Sequence, residues 1–394
     1  MNNGKLNFEN TEIAFRLRSD KELRSAYLMF KIISSSTLVS MGNLAIPAAV
    51  RTGIPMGWLI KPTVYKQFCG GETISECNRV VNELGSMNVK TILDYSVESK
   101  DDDDEIENAL TETLRTVENA GNIPYIPFAV FKPTAFIKTY ALEILSNKKD
   151  INPEAEKEGQ KFKSRVERLC SAAFNRGVPV LIDAEDSFYQ PFIDEVVLDM
   201  MKIFNNEKAI VFNTYQMYRW DRMGVLQDHL SRAKENGFFL GAKFVRGAYM
   251  ERERARARKS GYPDPIHKDK ESTDRDYDAA LKYSIENIDT ISIFNGTHNE
   301  ESSYYLTELM QQSGIRKDDP RIWFSQLYGM SDHISFNLAR DGYNVAKYVP
   351  YGQIKHVLPY LMRRVKENTS VKGQTGRELS LIIKELNRRK KIKG

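Results

Sequence analysis

Residues 360–368 read YLMRRVKEN, which sets Tyr360, Arg363, Arg364 and Glu367 at i, i+3, i+4 and i+7. On a 3.6-residue period these four share one face of a helix. Two guanidinium forks on one face suit bidentate recognition of a small carboxylate, although a solvated charged face has the same spacing. Other groups with chemical use stand at the ends of apolar runs: Asp94, Lys132, Asp183 with Glu185, Gln216 with Tyr218, Arg246 with Tyr249, Thr297 with His298, Gln326 and Tyr348. Each accepts or donates a proton or binds an anion. Lys132, Lys243, Arg246 and His298 bring positive charge and Asp183 and Glu185 negative charge, a mixture suited to a zwitterionic or anionic ligand. Asp183 and Glu185 alone make a poor metal site, with no second histidine nearby. Lys132 at a strand end is also the arrangement of a Schiff-base lyase.

The elements that must position these groups follow from the rhythm of the chain. Eight short β-rich runs recur at 89–96, 124–132, 179–185, 209–218, 238–249, 291–299, 321–330 and 343–352. The stretches between them, such as 135–178 and 253–290, carry helical periodicity. Strands alternating with helices, each strand apolar on both faces, predict a (βα)8 barrel with its site at the C-terminal strand ends. A doubly wound sheet would carry a Gly-rich phosphate turn, and neither G-x-G-x-x-G nor G-x-x-x-x-G-K-[ST] occurs. The run DDDDE at 101–105 reads as a solvated loop, and RERARARK at 252–259 as helix rather than as a nucleic-acid patch.

Bulk properties fit this reading. The 394 residues are 41% hydrophobic and 28% charged, with a net charge of +4. That is ordinary for a globular chain and gives no argument for nucleic acid. Cys69, Cys77 and Cys170 form neither a disulfide framework nor a zinc motif, which favours a reducing compartment. The uncharged stretch 32–50 holds four serines, Asn43 and Pro47, and reads as packed helix rather than a membrane span.

The segments KFVRGAYMERERARA (243–257), GTHNE (296–300), FSQLYGM (324–330), AKYVPYG (346–352) and LPYLMRRVKEN (358–368) resemble the signatures of monofunctional proline dehydrogenase of the mitochondrial type, in order. The resemblance runs from about residue 88 onward; Lys243 is one of its marks. It implies a distorted (βα)8 TIM-like barrel over 86–394 whose last barrel helix lies over the barrel mouth, and a helical N-terminal arm over 1–85. It implies an FAD enzyme oxidising L-proline to Δ1-pyrroline-5-carboxylate, with a quinone as electron acceptor and a separate pyrroline-5-carboxylate dehydrogenase downstream. Arg363 and Arg364 would clamp the carboxylate, with Glu367 orienting them. Tyr348 and Tyr360 would wall the ring, and Lys132 and Asp183 would face the substrate. Ala184, Gln216, Lys243, Arg246, Gly247, Ala248, Tyr249, Thr297 and His298 fall on flavin-contacting positions. Asp183, Lys243, Lys132 and Tyr348 would carry the catalysis. Tyr348 resembles the tyrosine of proline-oxidising members, which implies proline as the first substrate and hydroxyproline as the runner-up. No metal is implied. The expected location is the cytoplasm, with peripheral contact on the inner face of the membrane through the arm or the basic C-terminus. A Lys132 lyase and a silent binding barrel are the rivals.

Overall fold

The computed structural model describes residues 6–34, 61–95, 101–370 and 374–393. Eight parallel strands alternate with helices, the (βα)8 arrangement of a TIM-like barrel. They are β1 Val89–Tyr95, β2 Ala129–Phe131, β3 Val180–Ile182, β4 Val211–Gln216, β5 Leu240–Val245, β6 Ile291–Gly296, β7 Ile322–Leu327 and β8 Val345–Tyr351. Their order in the sheet is β1-β8-β7-β6-β5-β4-β3-β2. All eight runs expected from the sequence contain a strand. β2 and β3 are much shorter than their runs, and proline is the reason. Pro127 and Pro133 bracket β2 and Pro179 precedes β3, each lacking the N–H that a ladder needs.

The chain divides into two compact units, Met1–Val97 with Gln326–Gly394, and Glu98–Ser325. In the Glu98–Ser325 unit the inward faces of the strands are set by one aromatic cluster. Phe128 meets the rings of Phe212, Phe294 and Trp323 edge-on, at centroid distances of 5.7, 5.1 and 5.2 Å. Residues of opposite parity turn to the helices: Asn213 donates to Asp194 of the helix Gln190–Phe204, and Tyr277 of the helix Lys270–Glu286 donates to Asn295. Alternation therefore places Thr214, Gln216, Lys243, Val245, Gly296 and Ser325 on the inward face. Parallel pairing lines up Thr214, Lys243, Phe294 and Trp323 in one row. The row two residues nearer the C-terminal strand ends holds the pairs Gln216–Val245 and Gly296–Ser325.

In the other unit the helices Thr11–Ala14, Asp20–Ile33 and Gln374–Lys393 share an apolar cluster that includes Phe15, Leu23, Phe30, Leu381 and Ile382. Ser19 and Glu22 form a capping box at the start of Asp20–Ile33. β1 pairs with β8 along seven register positions. Lys347 of β8 is fully buried and donates to Asp332 at 2.9 Å, and Asp332 also accepts from Arg18 at 3.4 Å. A tie from the N-terminal helices to β8 is thus built on buried charge.

The acidic run is a correction. Only Asp101 and Asp102 precede the helix Asp103–Asn122, and Asp102 caps it by accepting from the Glu105 N–H. Asp103, Asp104 and Glu105 occupy the first turn, where the helix dipole favours negative charge. RERARARK lies within the helix Met250–Ser260, as its spacing predicts. Of the 32–50 stretch, Ile32 and Ile33 end the helix Asp20–Ile33, and residues 35–50 lie outside the described residues. Among the described residues no helix is long and apolar enough to cross a membrane.

Candidate functional site

Three residues distant in sequence meet at the C-terminal ends of β2, β3 and β5. Lys132 donates to Asp183 Oδ2 at 2.6 Å and Lys243 to Asp183 Oδ1 at 2.5 Å. Each oxygen of the carboxylate thus faces its own ammonium. Burial alone would raise the Asp183 pKa, but the two ammoniums hold it well below the usual carboxylate range. Two cations and one anion leave a net charge of about +1, suited to an anionic or electron-rich ligand. The pairing also bears on the lyase alternative. An ammonium bound to an ionised carboxylate is not the form of lysine that attacks a carbonyl.

Glu185, which the sequence offers only as negative charge beside Asp183, braces this corner. Its Oε1 accepts from the Thr134 hydroxyl at 2.6 Å, and its backbone N–H donates to Gln190 Oε1 at 2.8 Å. Thr134 sits in the single 3-10 turn Pro133–Ala135 that follows Lys132. Glu185 therefore fixes the loop that aims the lysine. The one sequence signal was its place two residues after Asp183. Burial pushes its pKa up to about 7, against the pull of Lys132 and Thr134. A carboxyl whose pKa rises from 4.5 to about 7 on folding favours the protonated native state, so its cost appears as pH climbs through that window. Stability of the natural protein should fall between pH 4.5 and 8 relative to Glu185→Gln, by on the order of 3 kcal/mol at the upper end. Urea unfolding at several pH values measures this. Parallel pH slopes for the two proteins would refute it.

A second group forms after β5 and β6. Arg246 donates from Nε to Asp274 at 2.8 Å, from Nη1 to the Thr297 hydroxyl at 2.6 Å and from Nη2 to Ser302 at 3.0 Å. It also lies over the Tyr277 ring at 4.3 Å. Its charge, counted from sequence as part of a positive rim, is balanced by Asp274, which no local spacing could reveal. Gly247 follows at φ 129°, a conformation reserved for glycine, and a Cβ there would lie 2.5 Å from the Tyr218 ring. Gly247 and Ala248 are exposed, and Ala184 and His298 are half-buried. Tyr249 is stacked by Arg252 at 4.7 Å. Gln216 at the end of β4 is 3% exposed, and its amide oxygen has no partner among the described residues.

The remaining expected residues lie in the other unit. Tyr348 is a buried residue of β8, in register with Ile92 of β1. The helix Ile354–Ser370 carries Tyr360, Arg363 and Arg364. Tyr360 is buried among Tyr65, Phe68 and Leu361. Arg364 is 8% exposed and lies over the Tyr360 ring at 5.1 Å, and Arg363 is half-buried. This face is not a freely solvated one. The Glu367 side chain lies outside the described residues. Among the described residues no group of three or more His, Cys, Asp or Glu is arranged to hold a metal.

A family model described as Proline dehydrogenase matches residues 77–377. The chain is 36% identical to the carbapenem antibiotics biosynthesis protein CarD of Pectobacterium carotovorum subsp. carotovorum, over 82% of this chain and 83% of that protein. It is 31% identical to proline dehydrogenase 1, mitochondrial, of Dictyostelium discoideum, over 98% of this chain and 76% of that protein. The crystal structure of proline utilization A (PutA) from Bdellovibrio bacteriovorus, inactivated by N-propargylglycine, is similar with a TM-score of 0.72 at 20% identity. That match covers 91% of this chain and 38% of the PutA chain, and it bears on the fold alone.

Proposed function

The chain belongs to the proline dehydrogenase family, and on that premise we propose that it oxidises L-proline to Δ1-pyrroline-5-carboxylate with FAD as the electron acceptor. The observation that carries this reading is the Lys132–Asp183–Lys243 cluster at the strand ends. It places paired charge at the point where such a barrel does its chemistry.

The residues present suit a flavin. Gln216 offers a buried amide oxygen in need of a donor, Gly247 offers bare backbone at a positive φ, and Arg246 is held rigid by Asp274 and Thr297. Gln216, Lys243, Arg246, Gly247, Ala248, Tyr249, Thr297, His298 and the backbone of Ala184 would hold it. Bound FAD supplies the two-electron acceptor for the carbon next to the proline nitrogen.

The chain's own residues then position the substrate. Arg363 and Arg364 fork the carboxylate, Glu367 orients them, and Tyr348 and Tyr360 wall the pyrrolidine ring. Fixing one end of a small rigid substrate restricts the other to a single orientation, which is positioning catalysis. Asp183 is a poor proton acceptor, because its conjugate acid is too strong. Its work is to hold Lys132 and Lys243 in place and charged. Electrons pass on to a quinone, and the product passes to a separate pyrroline-5-carboxylate dehydrogenase. Contact with the membrane that holds the quinone is part of this reading.

The test is a visible absorption spectrum of the purified protein before and after anaerobic L-proline. A flavin band that bleaches is expected, and bleaching by hydroxyproline should be weaker. A flavin band indifferent to both compounds would remove the substrate assignment. A colourless protein that takes up no FAD would remove the flavoenzyme itself, and borohydride trapping on Lys132 would then be decisive.

A further inference from the structure

Among the buried polar atoms of the Glu98–Ser325 unit that have no partner among the described residues, two belong to the same inward row. They are Gln216 Oε1, at the end of β4, and Ser325 Oγ, on β7, in residues that are each 3% exposed or less. Pairing joins Gln216 to Val245 and Gly296 to Ser325. The pair Phe244–Asn295 sets Val245 beside Gly296. A Cβ at Gly296 would indeed meet Val245 Cγ1 at 3.2 Å and the Phe244 carbonyl at 3.1 Å. The row is thus polar at both ends, apolar at Val245 and bare at Gly296. It lies two residues beyond Lys243 along the strands.

A buried hydroxyl without a partner weakens a fold, because its hydration is lost and nothing replaces it. Such groups are rare in native structures and call for an explanation, usually a ligand or a water. Ser325 stands apart from its neighbours in this respect. Thr214, one row below, donates to the Ile182 carbonyl at 2.6 Å, and Thr297 accepts from Arg246. A ligand completing both orphans needs an N–H for Gln216 Oε1 and a further polar atom for a hydroxyl that can donate or accept. The pyrimidine edge of a flavin carries both kinds of group side by side.

We infer that Ser325 is a further contact of the bound cofactor, sharing with Gln216 the hydrogen bonds of the flavin's polar edge. The inference rests on the flavoenzyme reading above and deepens it. Ser325 lies in the signature segment FSQLYGM (324–330), but the family resemblance gives it no role. It acts by holding and tuning the ring, and its loss should be felt in cofactor affinity before it is felt in folding.

The experiment uses the full chain with Ser325→Ala and Ser325→Cys, and with Ser303→Ala as control. Ser303 is buried in the same unit, but its hydroxyl is already bonded to the Asn299 carbonyl. Three quantities are read: the FAD dissociation constant of apo-protein, the position of the bound flavin bands, and the melting temperature of the apo-protein. Ser325→Ala should weaken FAD binding roughly 3- to 10-fold and shift the bands. The apo-protein should melt no lower than the natural one, because an unmatched hydroxyl has been removed. Ser325→Cys, nearly isosteric with a weaker donor, should fall between, and it carries the test if the alanine variant does not fold. The control should keep natural affinity and spectrum. If the natural protein binds FAD and Ser325→Ala matches it in affinity and bands, Ser325 serves only a water and the inference is overturned. If the natural protein binds no FAD, the flavoenzyme reading fails first, and the two failures are told apart by the natural protein alone.

Discussion

Asp183→Asn should reduce kcat/KM at least about 100-fold and lower the unfolding free energy by on the order of 3 kcal/mol. The carboxylate faces an ammonium on each oxygen, at 2.5 and 2.6 Å, and only about 13% of its side chain is exposed. An amide keeps one acceptor atom and no charge, so two neighbouring ammoniums would be left repelling each other in a poorly hydrated corner. The sign of the pH effect follows from the depressed pKa. A carboxyl lowered on folding contributes stability that is present above its ordinary value near 3.8 and is lost as pH falls through the native value. The natural protein should therefore hold this contribution down to acid pH, and the variant should lack it throughout the neutral range. Denaturant unfolding at pH 7 and steady-state turnover measure the two effects. Asp183→Asn with natural stability and turnover would show that the ion-paired cluster is neither a support nor a site.

Arg364→Ala should lower kcat/KM for proline by about 30-fold to several thousand-fold, the equivalent of 2–5 kcal/mol for leaving a buried carboxylate half-paired. The loss should fall chiefly on KM. The carboxylate is held alike in the ground and transition states, and such uniform binding moves KM rather than kcat. Arg364→Lys should recover little, because an ammonium keeps the charge without the planar fork. Prolinamide, which lacks the carboxylate, should discriminate poorly between natural and variant enzymes. Arg364 is also 8% exposed and sits over Tyr360, so the alanine variant gives up packing and a cation–π contact worth about 1 kcal/mol. The lysine variant separates that structural loss from the loss of recognition. An unchanged KM in both variants would detach Arg364 from the substrate.

What is local is legible in the sequence, and what needs a distant partner is not. The helix Met250–Ser260 was visible because alanine recurs through a charged segment. The acidic run at 101–105 reads as a loop because its role depends on one residue, Asp102, turning back to cap the next turn. Arg246 reads from the sequence as positive charge on the rim, because Asp274, 28 residues away, cannot be assigned to it from spacing. Glu185 reads only as rim charge and Ser325 carries no role in the sequence, because a polar residue beside an apolar run reads the same whether it is solvated, bonded or orphaned.

By itself, the sequence determined the alternation of eight apolar runs with helical stretches, and hence the barrel class. It also determined the helical face shared by Tyr360, Arg363 and Arg364, because residues three and four apart must meet on a helix. Only the tertiary structure decided which side chains touch across strands. Lys132 and Lys243 meet Asp183 across 51 and 60 residues. That meeting depends on parallel register, which reflects the packing of whole faces, such as Phe128 against Phe212, Phe294 and Trp323. Periodicity is a property of the chain, while the partner of a buried charge is a property of the assembled core.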